Sequence, residues 1–318
     1  MPEARKTGVI ECSALFFHAL KPHMAGMDQS TPLIFDRRAV KRNRARSARA
    51  GNQANFLFED VAKRLIDRRF DVKRAFDTVA VIGGRGLISA AALDCTALLH
   101  LDPCADLLPG GVAAVCDEEA LALREGCFDA VFSLLHLHSV NDLPGALIQI
   151  NRALKPDGLF MGAVFAAGTA DTLKQAFLQA DLDTTGTVKP RIAPLLDVRD
   201  AGGLLQRAGF QMPVADTETV TVNYRKALSC FTDLRHMGEA NALTQRSKSL
   251  LGKATLAACL AQLEGRRNTA GKIPIAFNIA FMTGWAPGPN QPRPLRPGSA
   301  KARLADALGT TETPLHEA

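Results

Sequence analysis

The chain contains no apolar run close to the roughly 20 residues that a membrane-crossing helix requires, so no transmembrane segment is expected. The one early apolar stretch, CSALFFHAL, is too short and lacks a small-residue cleavage site, and no export signal is read from it. No CxxC pair occurs. Seven cysteines, at 12, 95, 104, 116, 127, 230 and 259, are scattered singly. That argues against a zinc site and for reduced, mostly buried thiols in a cytoplasmic protein. Acids are missing altogether from one stretch: RRAVKRNRARSAR, from Arg37 to Arg49, carries seven Lys or Arg and no Asp or Glu. No interleaved aromatics or base-reading module accompany it, so no nucleic-acid partner is expected. Positions 38, 42 and 46 are four apart, and the run reads as the solvated face of a helix.

What is present is the composition of a globular chain, with 318 residues, 47% hydrophobic and 22% charged, and ample length for a buried core. Residues 1–32 show little periodicity and read as a weakly ordered extension, with Met27 as an alternative start. Residues 33–75 read as two helices, the second being NFLFEDVAKRLIDRRF with apolar residues at helical spacing. From 76 the pattern alternates strand and helix. Strands are expected at 78–83, 97–102, 112–117, 128–135 and 158–165, separated by helix-like segments that include ISAAAL, DLLPG and EEALAL. Helices at 143–154, 170–181 and 197–208, a strand from VADTETVTVNY, a helical stretch at 225–262 and a last strand at 273–287 complete the domain. A proline-rich, flexible tail follows at 288–318, with a short helix at 300–308. Strands alternating with helices imply a doubly wound, mostly parallel α/β sheet.

In such a sheet a ligand binds beyond the carboxyl ends of the strands, and four signals fall there. The first strand ends in VAVIGGRGLIS, where Gly83, Gly84 and Gly86 let backbone N–H groups approach a ligand. The second ends at Asp102, about where an acid reaches a ribose hydroxyl pair. The third ends in CDEE, whose Asp117 and Glu118 are able to accept from an adenine amine. The fourth ends in SLLHLH, where Leu135 edges the pocket and His136 and His138 face an approaching acceptor, either able to take a proton from it. No third ligand stands at a useful spacing from the two histidines, and no metal is expected. Together the four signals point to a nucleoside cofactor, either NAD, for which GRGLIS is a partial fingerprint, or S-adenosylmethionine, which needs fewer glycines.

The choice between them lies downstream. CFDAVFSLLHLHSVNDLPGALIQINRALKPDGLFMGAVF resembles the fourth-to-fifth-strand segment of class I S-adenosylmethionine-dependent methyltransferases, and FDAVFSLLHLH and LKPDGLF are similar to the paired signatures of the methyltransferase type 11 family. FDRRAVKRNRARSA, DLRHMGEANAL and IPIAFNIAFMTGW narrow the resemblance, over about 33–287, to a subgroup. It holds the biotin-pathway malonyl-carrier-protein methyltransferases and the complex I assembly methyltransferase-like factors. The resemblance implies a seven-stranded sheet with a helical lid near 225–262, S-adenosylmethionine as cofactor, and a protein or acyl-carrier acceptor. For the assembly factors it implies arginine hydroxylation of an iron–sulfur subunit of complex I. The family's first strand usually reads LDLGCGRG. Here the acid falls on Ala80 and the first glycine on Ile82, and LHW becomes Leu137-His138-Ser139. Loss of the acid removes an acceptor worth about 1.5–3 kcal/mol. The rival expectation is a non-catalytic assembly factor that keeps the fold and works through its surface, including the basic 37–49 helix.

Overall fold

The computed structural model of the chain describes residues 33–51, 55–289, 291, 305–306 and 309–311. The expectations for 1–32, for Met27 and for most of the tail helix lie outside these residues; Ala305 and Asp306 are helical. The chain divides into two units, Met1–Pro287 and Gly288–Ala318, and the fold is that of the first.

Two helices, α1 (Arg37–Ala50) and α2 (Phe56–Phe70), precede a seven-stranded sheet. Strand β1 (Thr78–Ile82) leads through a four-residue helix, α3 (Ala90–Leu93), to β2 (Ala97–Asp102), then β3 (Ala113–Val115) and β4 (Phe128–Leu134). Helix α4 (Leu143–Ala153) and β5 (Leu154–Phe165) follow, then α5 (Asp171–Thr185), α6 (Val198–Arg207) and β6 (Gln211–Tyr224). Two lid helices, α7 (Ala227–Met237) and α8 (Lys253–Glu264), precede β7 (Ile273–Trp285). The strand order is β3-β2-β1-β4-β5-β7-β6, with β1 to β5 parallel and β7 antiparallel to both its neighbours.

The alternation of side chains along a strand divides the core in two. Val79 and Val81 of β1 face one cluster, with Phe58, Leu65, Phe132 and Phe277. Ala80 and Ile82 face the other, with Leu99, Leu147, Phe160 and Phe210. The position where the family carries its acid is thus fully buried, apolar packing surface.

Two sequence expectations are corrected. EEALAL forms no helix; residues 118–123 are extended and turned, because Glu118 and Glu119 direct their carboxylates inward to Arg37, His136 and Asn141. The stretch 225–262 is two helices rather than one: α7 ends at Gly238, whose φ of 87° closes the helix in the left-handed region. The basic run does present the expected solvated face, with Arg38 and Arg42 exposed and Arg46 partly so, but its opposite face is part of the interior. Asn43, Arg44 and Ser47 of α1 are buried, and Arg37 is largely so. Asp36 caps this helix, accepting from the N–H of Arg38 and Ala39 at 3.0 and 3.2 Å. Asp36 N–H donates to Ala242 and Asn43 Nδ2 donates to the Ala240 carbonyl at 2.7 Å, so α1 lies clamped between the strand ends and the segment after α7.

Candidate nucleoside pocket and acceptor cavity

The parallel register brings the strand ends level, Ile82 beside Leu101 and Ser133, and Asp102 beside Val115. The glycine turn, Asp102, Glu118 and Leu135 therefore converge as the sequence predicts. What the sequence does not show is what fills the space between them. Arg44 of α1 reaches Asp102 with two nitrogens, Nε at 3.2 Å from Oδ1 and Nη2 on Oδ2. The Cys104 N–H donates to the same Oδ1 at 2.8 Å. The pair is almost sealed, with side-chain exposures of 5% and 1%. Burial alone would raise the Asp102 carboxyl, but the Arg44 charge and hydrogen bonds outweigh it and hold the group below the usual range.

One face further along α1, Arg37 Nη2 lies 2.6 Å from Glu118 and 2.8 Å from Asp117, and Lys41 is 3.4 Å from Asp117. Glu118 is completely buried and touches His136 Nε2 at 3.1 Å on its other side. Burial, which opposes ionisation, is outweighed by His136 and Arg37, and the carboxyl stays well below its ordinary value. Asp102, Asp117 and Glu118, the three acids expected to hold a nucleoside, are thus each paired with a cation of the same helix. Arg37, Lys41 and Arg44, spaced four and three apart, form one stripe of α1.

Gly83 and Gly84 are equally enclosed. Gly83, at φ 72°, packs on His136, and a side chain there would meet the imidazole Cβ at 2.7 Å. Gly84 leaves no room beside Val81, and Gly86 lies exposed near Pro109. Arg85 of the turn stacks on Phe58, 3.8 Å from the ring centroid, and donates to Ser47 of α1 and to the Met237 carbonyl. Burial lowers its guanidinium to about 9.

Leu135 adopts φ 43°, a left-handed conformation costly for a branched side chain. Its side chain is buried in the core, and the reversal splits the two histidines that follow. His136 is sealed beneath the glycine turn, with no exposure, so an acceptor does not reach it; its expected catalytic role is corrected to a packing and positioning one. His138, on the single helical turn Leu137–Ser139, opens instead onto a cavity of about 130 Å³ lined by Phe35, Phe165, Leu173, Leu234, Glu239 and Phe277, among others. His138 Nε2 lies 3.0 Å from Glu239, its Nδ1 is buried without a partner, and its ring meets Phe165 edge-on at 4.8 Å. Glu239 is also held below its usual range, by His138, Arg85 and Arg44 against the opposing effect of burial. Two further cations on the cavity wall are already neutralised, Arg44 by Asp102 and Arg191 by Asp181 at 2.6 Å.

Sequence reading missed Arg37, Arg44 and Glu239. All three lie in the segments FDRRAVKRNRARSA and DLRHMGEANAL that carried the resemblance, which was the signal available. No group of His, Cys, Asp and Glu able to hold a metal ion occurs among the described residues. S-adenosylmethionine does not fit these residues as they stand. The carboxylates that would take its ribose and adenine are occupied and buried, and the glycine turn is filled from below by His136. The cavity beside His138 includes none of Gly83, Asp102 or Glu118.

A sheet of this order with one reversed strand, and acids after β2 and β3 beside a glycine turn, defines a class I methyltransferase-fold protein. In agreement, residues 83–162 match the family model described as a methyltransferase domain. The arginine-hydroxylase NDUFAF5 of Danio rerio is 36% identical over 285 residues, covering 86% of this chain and 89% of the relative. The Homo sapiens NDUFAF5 is 37% identical, covering 86% and 83%. A malonyl-[acyl-carrier protein] O-methyltransferase of Gallionella capsiferriformans is 28% identical, covering 80% and 93%. The chain belongs to the arginine-hydroxylase NDUFAF5 family. The expectation of a cytoplasmic protein is corrected by these relatives, which are mitochondrial; reduced thiols and the lack of a secretory signal do not separate one reducing compartment from another.

Proposed function

We propose that the chain is an enzyme that modifies a protein side chain, an arginine by analogy with the hydroxylases it is related to, in the assembly of respiratory complex I. The observation that carries this reading is the His138–Glu239 pair on the wall of a mostly apolar cavity. With Arg44 and Arg191 paired to Asp102 and Asp181, Glu239 would receive a guanidinium on the carboxylate that it shares with His138, an arrangement that favours a cation over a neutral acceptor. Phe165 and Phe277 give the cavity aromatic walls that suit the same planar cation. His138 Nδ1, buried and unpartnered, would orient the guanidinium by a hydrogen bond, while the oxygen and the oxidising equivalents of a hydroxylation would come from a co-substrate of the dioxygen class. The identity of about 36% over most of both chains supports protein modification over acyl-carrier methylation.

Mass spectrometry of the iron–sulfur subunits of complex I, from cells with and without this gene, tests the reading. An arginine heavier by one oxygen only when the gene is present supports hydroxylation. A gain of one methyl group supports methyl transfer instead. An unchanged subunit mass, with complex I still failing to assemble, favours the rival reading of a non-catalytic assembly factor, to which the buried Ala80 and Ile82 lend support.

A further inference from the structure

The three acids that the fold presents to a nucleoside are all matched, within one stripe of one helix, by cations of the chain itself. Arg44 offers Asp102 two nitrogens, as a ribose offers an acid two hydroxyls, and Arg37 donates to Asp117 and sets its charge 2.6 Å from Glu118, where an adenine amine would lie. We propose that α1 is a plug: its Arg37–Lys41–Arg44 stripe occupies the nucleoside pocket in place of ligand, and the pocket opens only when α1 withdraws.

Four observations beyond the ion pairs point the same way. The helix is held to the segment after α7 by two hydrogen bonds to backbone carbonyls and one ion pair. Asp36 N–H and Asn43 Nδ2 donate to the carbonyls of Ala242 and Ala240, and Arg246 pairs with Asp36 at 2.8 Å. The glycine turn is tied to the same helix through Arg85 and Ser47 at 2.8 Å, so a ligand that displaces α1 also releases the turn. Gly238, at the end of α7, lies against α1, and a side chain there would crowd Ser47 at 3.3 Å and the Asn43 carbonyl at 3.4 Å. Finally, the same helix walls the acceptor cavity through Val40, Asn43 and Arg44. Withdrawal of α1 therefore opens the nucleoside pocket and enlarges the acceptor cavity in one movement, which couples the two sites through a single two-position element.

The inference concerns the pocket of the proposed enzyme but is read by binding alone, with no acceptor in the assay, so its failure is separable from failure of that reading. S-adenosylhomocysteine is the probe. It is titrated calorimetrically into the wild-type protein and into Arg44→Gln, with Arg37→Gln as a second variant should the first unfold. A pocket that is closed most of the time shows an affinity lowered by its open fraction, and the variants are expected to bind about tenfold or more tightly than wild type. Hydrogen exchange of the wild-type protein is followed in parallel. On saturation with the probe, amides of 37–50 are expected to exchange faster while those of β1 slow. The proposal is overturned if the variants bind no more tightly than wild type. It is equally overturned if α1 becomes more protected with ligand, which would make it a cover rather than a plug, or if no protein binds at millimolar probe.

Discussion

Ala80 is the residue at which this chain departs most from its family's pattern, and its surroundings explain why the departure is stable. It has no exposure and packs with Ile82, Leu99 and Val131 on one face of the sheet. Restoring the acid is therefore expected to harm the protein before it helps a ligand. Ala80→Asp buries a carboxyl in an apolar cluster and should cost about 3 kcal/mol or more, seen as a lowered thermal midpoint. A midpoint unchanged within error would mean that a cation already waits at this position. Leu135 shows the opposite tendency, since its left-handed backbone costs about 1–3 kcal/mol yet is retained. The strain sends His136 under the turn and His138 to the cavity. SLLHLH marked both histidines as candidates, but an alternation of side chains cannot report a reversal of φ, so their different surroundings were not legible.

At the scale of elements, the strands were the most legible, because most are apolar runs and β1 and β2 end in glycine and acid. Helix α1 was legible as a helix but not as part of the site. The 58 residues between Arg44 and Asp102 and the 80 between Arg37 and Asp117 carry no local pattern, and a run without acids looks the same whether its partners are water or distant carboxylates. EEALAL failed for a related reason: its helix propensity is overridden by the ion pairs of Glu118. The cap of α1 offers a direct probe of how firmly the helix is held. Asp36→Ala removes the N-cap acceptor and the partner of Arg246, and is expected to cost about 1 kcal/mol and to speed amide exchange at 37–40. Exchange confined to other segments would show that the clamp from Ala240 and Ala242 holds the helix by itself.

For the whole molecule, charge is arranged so that buried acids depend on cations from remote segments. Asp102, Glu118, Asp181 and Glu239 all have carboxyls lower in the folded chain than their ordinary values. A group lowered by folding stabilises the fold fully above its unfolded pKa, about 4 for these residues. That contribution is lost as the pH falls through the lower, folded value. The thermal midpoint should accordingly be insensitive to these groups from about pH 6 to 8 and drop steeply below about pH 4, with the drop reduced in Glu118→Gln. A midpoint that rises on acidification would contradict the ion-pair account. The same arrangement explains why the fold could be read from sequence more fully than the site. The sheet follows from patterns within each segment, whereas the closed pocket is a product of how α1, the strand ends and the lid meet.

The most direct measurement concerns the cavity that carries the proposed chemistry. In cells whose own copy of this gene is deleted, the wild-type protein and Glu239→Gln are expressed in turn, and the complex I iron–sulfur subunits are weighed by mass spectrometry. Gln keeps the size of the Glu239 side chain and can still accept from or donate to His138, and the thermal midpoint of the variant checks that it is folded. The account predicts an oxygenated arginine with the wild type and its near-complete loss with Glu239→Gln. Full modification by Glu239→Gln would contradict it.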